Sequence, residues 1–176
     1  MPGPAVVVIT GIMAAGKSTV AQLLAERLPR AAHVRGDLFR RMIVSGRADM
    51  TPGAEEEAVA QLRLRHRLTA SVADGYAEAG FTAVVQDVLL GAHVGELLDA
   101  VRTRPRYLVV LAPSPAAVAA REAARAKTGY GAWTVEDLDR GLRAMPRLGL
   151  WLDSTHWTPE ATVDALLAEL DQARVA

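Results

Sequence analysis

A chain of 176 residues with 51% hydrophobic side chains has the length and apolar content of one domain around a single packed core. Its 20 Lys and Arg balance 20 Asp and Glu, so there is no global electrostatic footprint for nucleic acid or an anionic membrane, although a local basic groove stays open. The absence of cysteine excludes disulfides, thiolate metal sites and a cysteine nucleophile.

Short apolar runs alternate with amphipathic stretches in the order β-α-β-α-α-β-α-β-α-α-β-α, the pattern of a parallel sheet covered by helices. The first strand, predicted over residues 5–10, runs into Gly11-Ile12-Met13-Ala14-Ala15-Gly16-Lys17-Ser18. This has the form G-x-x-x-x-G-K-[ST] at a strand-to-helix junction, where backbone N–H groups cradle the phosphates of a nucleoside triphosphate. Gly11, Ala14, Ala15, Gly16, Lys17, Ser18 and Thr19 form the expected phosphate-binding set for ATP, with Lys17 on the β/γ oxygens and Ser18 on Mg²⁺. Lysine occurs only at Lys17 and Lys127 among 20 basic residues. Lys17 resists that bias toward arginine because a planar guanidinium cannot replace a compact ammonium in a tight phosphate loop. A helix follows over 17–28, with Val20, Leu23, Leu24 and Leu28 at helical spacing.

Ligands of open α/β sheets bind beyond the carboxyl ends of the strands. After the second strand, predicted over 32–35, comes Asp37-Leu38-Phe39-Arg40 at the start of a helix over 38–44, with Asp37 at its cap. Asp37 and Arg40 suit a general base and a charge clamp for a hydroxyl attacking a γ-phosphoryl group; a plain helix cap with a solvated arginine is the alternative. The long helix over 55–79 carries Arg63, Arg65 and Arg67, read as surface charge. The third strand, over 82–86, ends at Asp87, a candidate to hold Mg²⁺ directly or through water or to contact substrate. A helix over 94–103 and a strand over 107–112 precede a helix over 115–126 that carries Arg121 and Arg125 on one face. With the glycines after Lys127, residues 121–133 read as a basic lid that would exclude water.

A helix over 135–144, a strand over 148–152 ending at Asp153, and a helix over 159–174 complete the chain. Thr158, Pro159 and the stripe Val163, Leu166, Leu167 and Leu170 support the last helix. His33, His66, His93 and His156 show no metal-ligand spacing, so no zinc site is expected, and Trp133, Trp151 and Trp157 read as packing residues. The start Met1-Pro2-Gly3-Pro4 lacks the features of a signal peptide, and no apolar stretch approaches a bilayer span. The expectation is a soluble, cytoplasmic protein with one domain over 1–176.

The phosphate loop, Asp37-x-x-Arg40, the arginine lid and Leu152-Asp153-Ser154-Thr155-His156 together resemble the small P-loop kinases of the shikimate kinase and chloramphenicol phosphotransferase type, over nearly the full length. Ala132-Trp133 and Leu138-Asp139-Arg140 resemble tunicamycin-resistance proteins of the same superfamily. The resemblance implies a P-loop NTPase three-layer α/β sandwich with a five-stranded parallel sheet in the order 2-3-1-4-5. It further implies Asp37 as base and lid arginines on the ATP phosphates. Residues 46–53 and 87–93 depart from the chloramphenicol enzyme and show no recognisable antibiotic pocket.

The functional expectation is an ATP-dependent phosphotransferase acting on a hydroxyl of a small molecule, such as an antibiotic or nucleoside-like natural product. Lys17, Asp37, Arg40 and Arg125 form its catalytic set, Ser18 and Asp87 its metal set, and Arg121 and Arg125 add to the nucleotide contacts. A polynucleotide 5′-hydroxyl kinase also fits Asp37-x-x-Arg40, but the zero net charge argues against nucleic acid. A non-catalytic protein that sequesters a ligand on a kinase scaffold is the other alternative. A monomer or small homo-oligomer is expected.

Overall fold

Three apolar runs make the centre of the sheet. Val6–Thr10 (β1), Thr82–Gln86 (β3) and Arg106–Leu111 (β4) are buried along their whole length, as strands covered on both faces must be. The computed structural model describes residues 3–124 and 130–176. Ala31–Arg35 (β2) lies at one edge and is half-exposed, and Leu150–Leu152 (β5) lies at the other. The order is β2-β3-β1-β4-β5, all parallel, with Val7 opposite Val84 on one side and Tyr107 on the other. This is the five-stranded order that the resemblance implies.

The helices Lys17–Arg27 (α1), Asp37–Arg41 (α2), Glu56–Glu78 (α3), His93–Ala100 (α4), Pro115–Ala123 (α5), Val135–Arg143 (α6) and Pro159–Ala168 (α7) connect the strands. The β1-α1-β2 crossover moves in one direction across the sheet, and the crossovers through α3 and α4 move in the other. Right-handed connections therefore place α1 on one face and α3 with α4 on the opposite face. Among the described residues no helix is long and apolar enough to cross a membrane.

Several boundaries differ from the sequence expectation for local reasons. Residues 102–103 do not continue α4, because Asp74 on α3 accepts the Arg102 and Thr103 N–H groups at 3.1 and 3.0 Å. Those contacts also satisfy a carboxylate buried at the base of α3. The fifth strand starts at Leu150 instead of 148, because Leu148 N–H turns back to Pro146 O at 2.8 Å and Gly149 follows at φ +67°.

The last helix ends at Ala168 instead of 174. A 3₁₀ turn, Leu170–Ala173, leads into Arg174–Val175 (β6), antiparallel to β4. The cause is the shortness of β5, which pairs only with Val109, Val110 and Leu111 and leaves the Arg106 and Tyr107 edge open. The chain closes that edge, pairing Val175 with Arg106 and Arg174 with Tyr107.

Gly149 packs directly on β4, where an added Cβ would lie 2.3 Å from Leu108 O. Gly149→Ala should lower stability by about 2–4 kcal/mol through backbone clash and positive-φ strain. Urea unfolding followed by circular dichroism checks this, with an unchanged m value expected.

Candidate active site

The phosphate loop is shaped by three residues with positive φ. Gly11 at φ +152° lies against β4, where an added Cβ would meet Leu111 O at 2.6 Å. Ala14 adopts φ +63°, and Gly16 at φ +98° is the N-cap of α1. That helix begins with no side-chain cap and no acidic residue in its first turn. Its first N–H groups therefore lack intrahelical acceptors and helix-dipole charge goes uncompensated, which is the physical requirement for holding phosphate. Lys17 is buried and its Nζ donates to Ile12 O at 2.8 Å, folding across the loop, while Ser18 and Thr19 are exposed at its rim.

The loop opens into a cleft of about 1450 Å³ that also reaches Asp37, Arg40, Arg65, Asp87 and Arg121. Sequence order places these residues on four different elements or their ends. The parallel topology brings all of them to the carboxyl side of the sheet.

Asp37 does not cap α2 as expected. Gly36 is the N-cap, no side chain caps the helix, and Asp37 is its first residue. Asp37 Oδ2 accepts from Arg41 Nη2 at 2.8 Å, whereas its Oδ1 is buried with no hydrogen-bond partner among the described residues. Arg40 faces the same cleft and pairs with Asp49 at 2.5 Å, which ties the 42–54 loop to α2.

Asp87 is 3% exposed at the end of β3, and its carboxylate is held by Arg65 on α3, with Arg65 Nε donating to Oδ2 at 2.7 Å and Arg65 Nη2 donating to Oδ1. Val88 N–H donates to Oδ1 at 2.7 Å. Arg65 is therefore not surface charge. Its side chain is 14% exposed, and burial, opposed by the nearby Asp37 charge, pulls its guanidinium down to about 10, still charged at neutral pH. Both Asp87 oxygens are thus engaged with protein donors, an arrangement that suits contact with a metal through water. Gly36 completes this cluster, since an added Cβ there would lie 2.1 Å from Asp87 Oδ2.

Neither Arg65 nor Gly36 stands out in the sequence as a site residue. The usable signal was helical: Ala58, Arg65 and Thr69 fall on one face of α3, and Ala58 and Thr69 are buried. The alternation with Arg63 and Arg67 masked it.

At the opposite wall, Arg121 joins the phosphate loop to the turn after β5. Its guanidinium donates to Ala15 O at 3.5 Å, Ser154 O at 2.7 Å and Thr155 O at 3.4 Å. Tyr130 Oη donates to Met13 O at 2.7 Å, and Trp133 Nε1 donates to Met50 O at 3.1 Å. The ends of the expected lid thus contact the phosphate loop and the 42–54 loop. Arg125 and Lys127 lie outside the described residues.

The family model described as an AAA domain, AAA_33, matches residues 6–148. The chain belongs to that family. The AAA_33 match runs from β1 past α6 and contains the phosphate loop, Asp37, Arg65 and Asp87. No curated protein sequence matches the chain. Among solved structures, an APS kinase from Mycobacterium tuberculosis in complex with AMPPNP and APS is 19% identical, with TM-score 0.72 over 97% of this chain and 99% of that one. A sugar kinase from Janibacter sp. HTCC2649 is 20% identical, with TM-score 0.68 over 98% and 96%. The tunicamycin resistance protein of Deinococcus radiodurans is 16% identical, with TM-score 0.66 over 98% and 99%. The shared property at these identities is the P-loop kinase fold.

The buried pair gives a direct contrast between neighbouring arginines. Arg65→Ala leaves the Asp87 carboxylate without its partner and should cost about 3–5 kcal/mol. Arg63→Ala, whose side chain is 57% exposed, should change stability by less than about 0.5 kcal/mol. Equilibrium urea unfolding of both variants measures the difference.

Proposed function

We propose that the protein is an ATP-dependent kinase that transfers the γ-phosphoryl group of Mg-ATP to a hydroxyl of a small molecule. The observation that carries this reading is Asp37 Oδ1, a buried oxygen of a partly exposed side chain with no hydrogen-bond partner among the described residues, in the cleft that also contains the phosphate loop. An unpaired buried acceptor is costly unless a donor arrives. A substrate hydroxyl supplies such a donor and gives up its proton to the same oxygen. As the acceptor oxygen bonds to the γ-phosphorus, the bond from that phosphorus to the bridging oxygen of ADP breaks, leaving a phosphate ester and ADP.

Lys17 and the first-turn N–H groups of α1 hold the β and γ oxygens, and Arg121 braces the loop through Ala15. Arg125 on the lid is assigned to the charge of the transferring group, with Arg40 at the acceptor side. Ser18 would hold Mg²⁺ by its hydroxyl and Asp87 through water; bound there, the ion would neutralise charge on the phosphate oxygens. The loop fits that assignment on its own geometry, with an uncapped helix start and an exposed Ser18.

The acceptor side has a charged floor and apolar walls. Met42, Leu64 and Leu68 are 68%, 39% and 41% exposed, and all three line the cleft. That combination favours an acceptor with a hydroxyl on a partly apolar body, the description of many antibiotics and nucleoside-like natural products.

Asp37→Asn should reduce acceptor-dependent ADP release by about 10²–10⁴-fold while nucleotide affinity is kept. Lys17→Ala should abolish turnover. A coupled ADP assay with a nucleotide-binding titration reads both, and full turnover in either variant would overturn the assignment.

A further inference from the structure

Beside the cleft, the packing of α3 on α4 joins residues that are remote in sequence. One nitrogen each of His66 and His93 and one carboxylate oxygen of Glu96 lie within 4.8 Å of one another. His93 and Glu96 are separated by one helical turn on α4, and His66 faces them from α3. Spacing along the chain concealed this group, because its histidines come from different helices.

His66 is the unusual member. It is 2% exposed, and neither ring nitrogen has a hydrogen-bond partner among the described residues. A hydrogen bond accounts for the other two residues, since His93 Nδ1 is 3.0 Å from Glu96 Oε2. It does not account for His66, whose Nδ1 stays 3.8 Å from that oxygen. A buried imidazole with both nitrogens unpaired is costly, and a ligand that accepts the lone pair of one nitrogen would relieve that part of the cost.

We propose that His66, His93 and Glu96 form a binding site for a first-row divalent cation, Zn²⁺ by preference, that ties α3 to α4. Bonds of about 2.0–2.2 Å to a tetrahedral Zn²⁺ place neighbouring ligand atoms about 3.3–3.5 Å apart. The two separations from Glu96 Oε2, 3.0 and 3.8 Å, lie on either side of that range and the two histidine nitrogens lie within 4.8 Å of each other, so side-chain rotations would bring the three ligands to one ion. Two imidazoles with one carboxylate, and water as a fourth ligand, suit Zn²⁺ and exclude Mg²⁺ and Ca²⁺ as good fits, because those ions prefer oxygen ligands throughout.

The site has a path to solvent. A recess of about 390 Å³, lined by Arg63, His66, Arg67 and Glu96, opens beside it. Arg63 Nε donates to Glu96 Oε1 at 3.3 Å, on the carboxylate oxygen that does not face the histidines. Arg63 and Arg67 oppose a cation by charge, and the Glu96 carboxylate offsets one of the two. His93 also lines the main cleft, and Arg65, the residue before His66, holds Asp87. A metal here would therefore fix the segment of α3 that positions the acceptor floor.

The test uses tag-free, chelator-treated protein without nucleotide or acceptor, so its outcome is independent of the kinase reading. Isothermal titration should show one equivalent of Zn²⁺ bound, with Kd raised at least about tenfold in both Glu96→Gln and His93→Gln. Co²⁺ should give a visible ligand-field band in the unmodified protein and lose it in Glu96→Gln. Both substituted residues are only partly buried, and circular dichroism confirms that the variants are folded. Absence of Zn²⁺ uptake by the unmodified protein, or unchanged Kd in the two folded variants, would overturn the proposal.

Discussion

The cleft depends on one buried ion pair. Asp87 ends the strand beside β1, where the phosphate loop begins, and its carboxylate is almost wholly removed from water. A carboxylate in that position is tolerable only with a matched cation and satisfied oxygens, which Arg65 and the Val88 N–H provide. The pair binds the end of β3 to the middle of α3. It also explains Gly36, because any side chain there would occupy the space of the carboxylate. Asp37 follows immediately, so the position of the candidate base is set by the same packing.

The rest of the architecture supports that arrangement from two sides. Buried parallel strands hold the carboxyl ends of β1, β3 and β4 in register, and the uncapped start of α1 leaves a ready site for negative charge. Across the cleft, Arg121 links the phosphate loop to the turn after β5, and Tyr130 contacts the loop from the far end of the expected lid. In the proposed assignment, the nucleotide and acceptor contacts rest on different helices joined through one sheet. A structure of this kind can hold the nucleotide side constant while the walls formed by α2, α3 and the 42–54 loop set the acceptor.

Sequence patterns revealed the elements whose causes are local. The strand Thr82–Gln86 matches its expected bounds because its apolar run lies between the turn at Gly80, with φ +86°, and Asp87, and the phosphate loop is visible in the sequence because its chemistry is contiguous. The end of the last helix was not visible, because the open edge of β4 that draws Arg174–Val175 into the sheet is a tertiary feature. Arg65 was hidden for a related reason. Whether an arginine on a long helix faces water or a buried carboxylate depends on what the opposite strand presents, and Asp87 lies 22 positions away. The cap of α2 lies at Gly36, one residue before Asp37, which leaves the Asp37 carboxylate in the cleft.

In the proposed kinase, the phosphate loop and Asp37 act together on one acceptor hydroxyl. The most direct measurement of that action is mass spectrometry of hydroxylated antibiotics, nucleosides and a 5′-hydroxyl oligonucleotide after incubation with the protein and Mg-ATP. A small molecule should gain the mass of one phosphoryl group, with matching ADP formation. Tight binding of a small molecule with no mass gain would contradict the kinase reading and make the protein a sequestering scaffold, and a mass gain on the oligonucleotide alone would contradict the small-molecule acceptor.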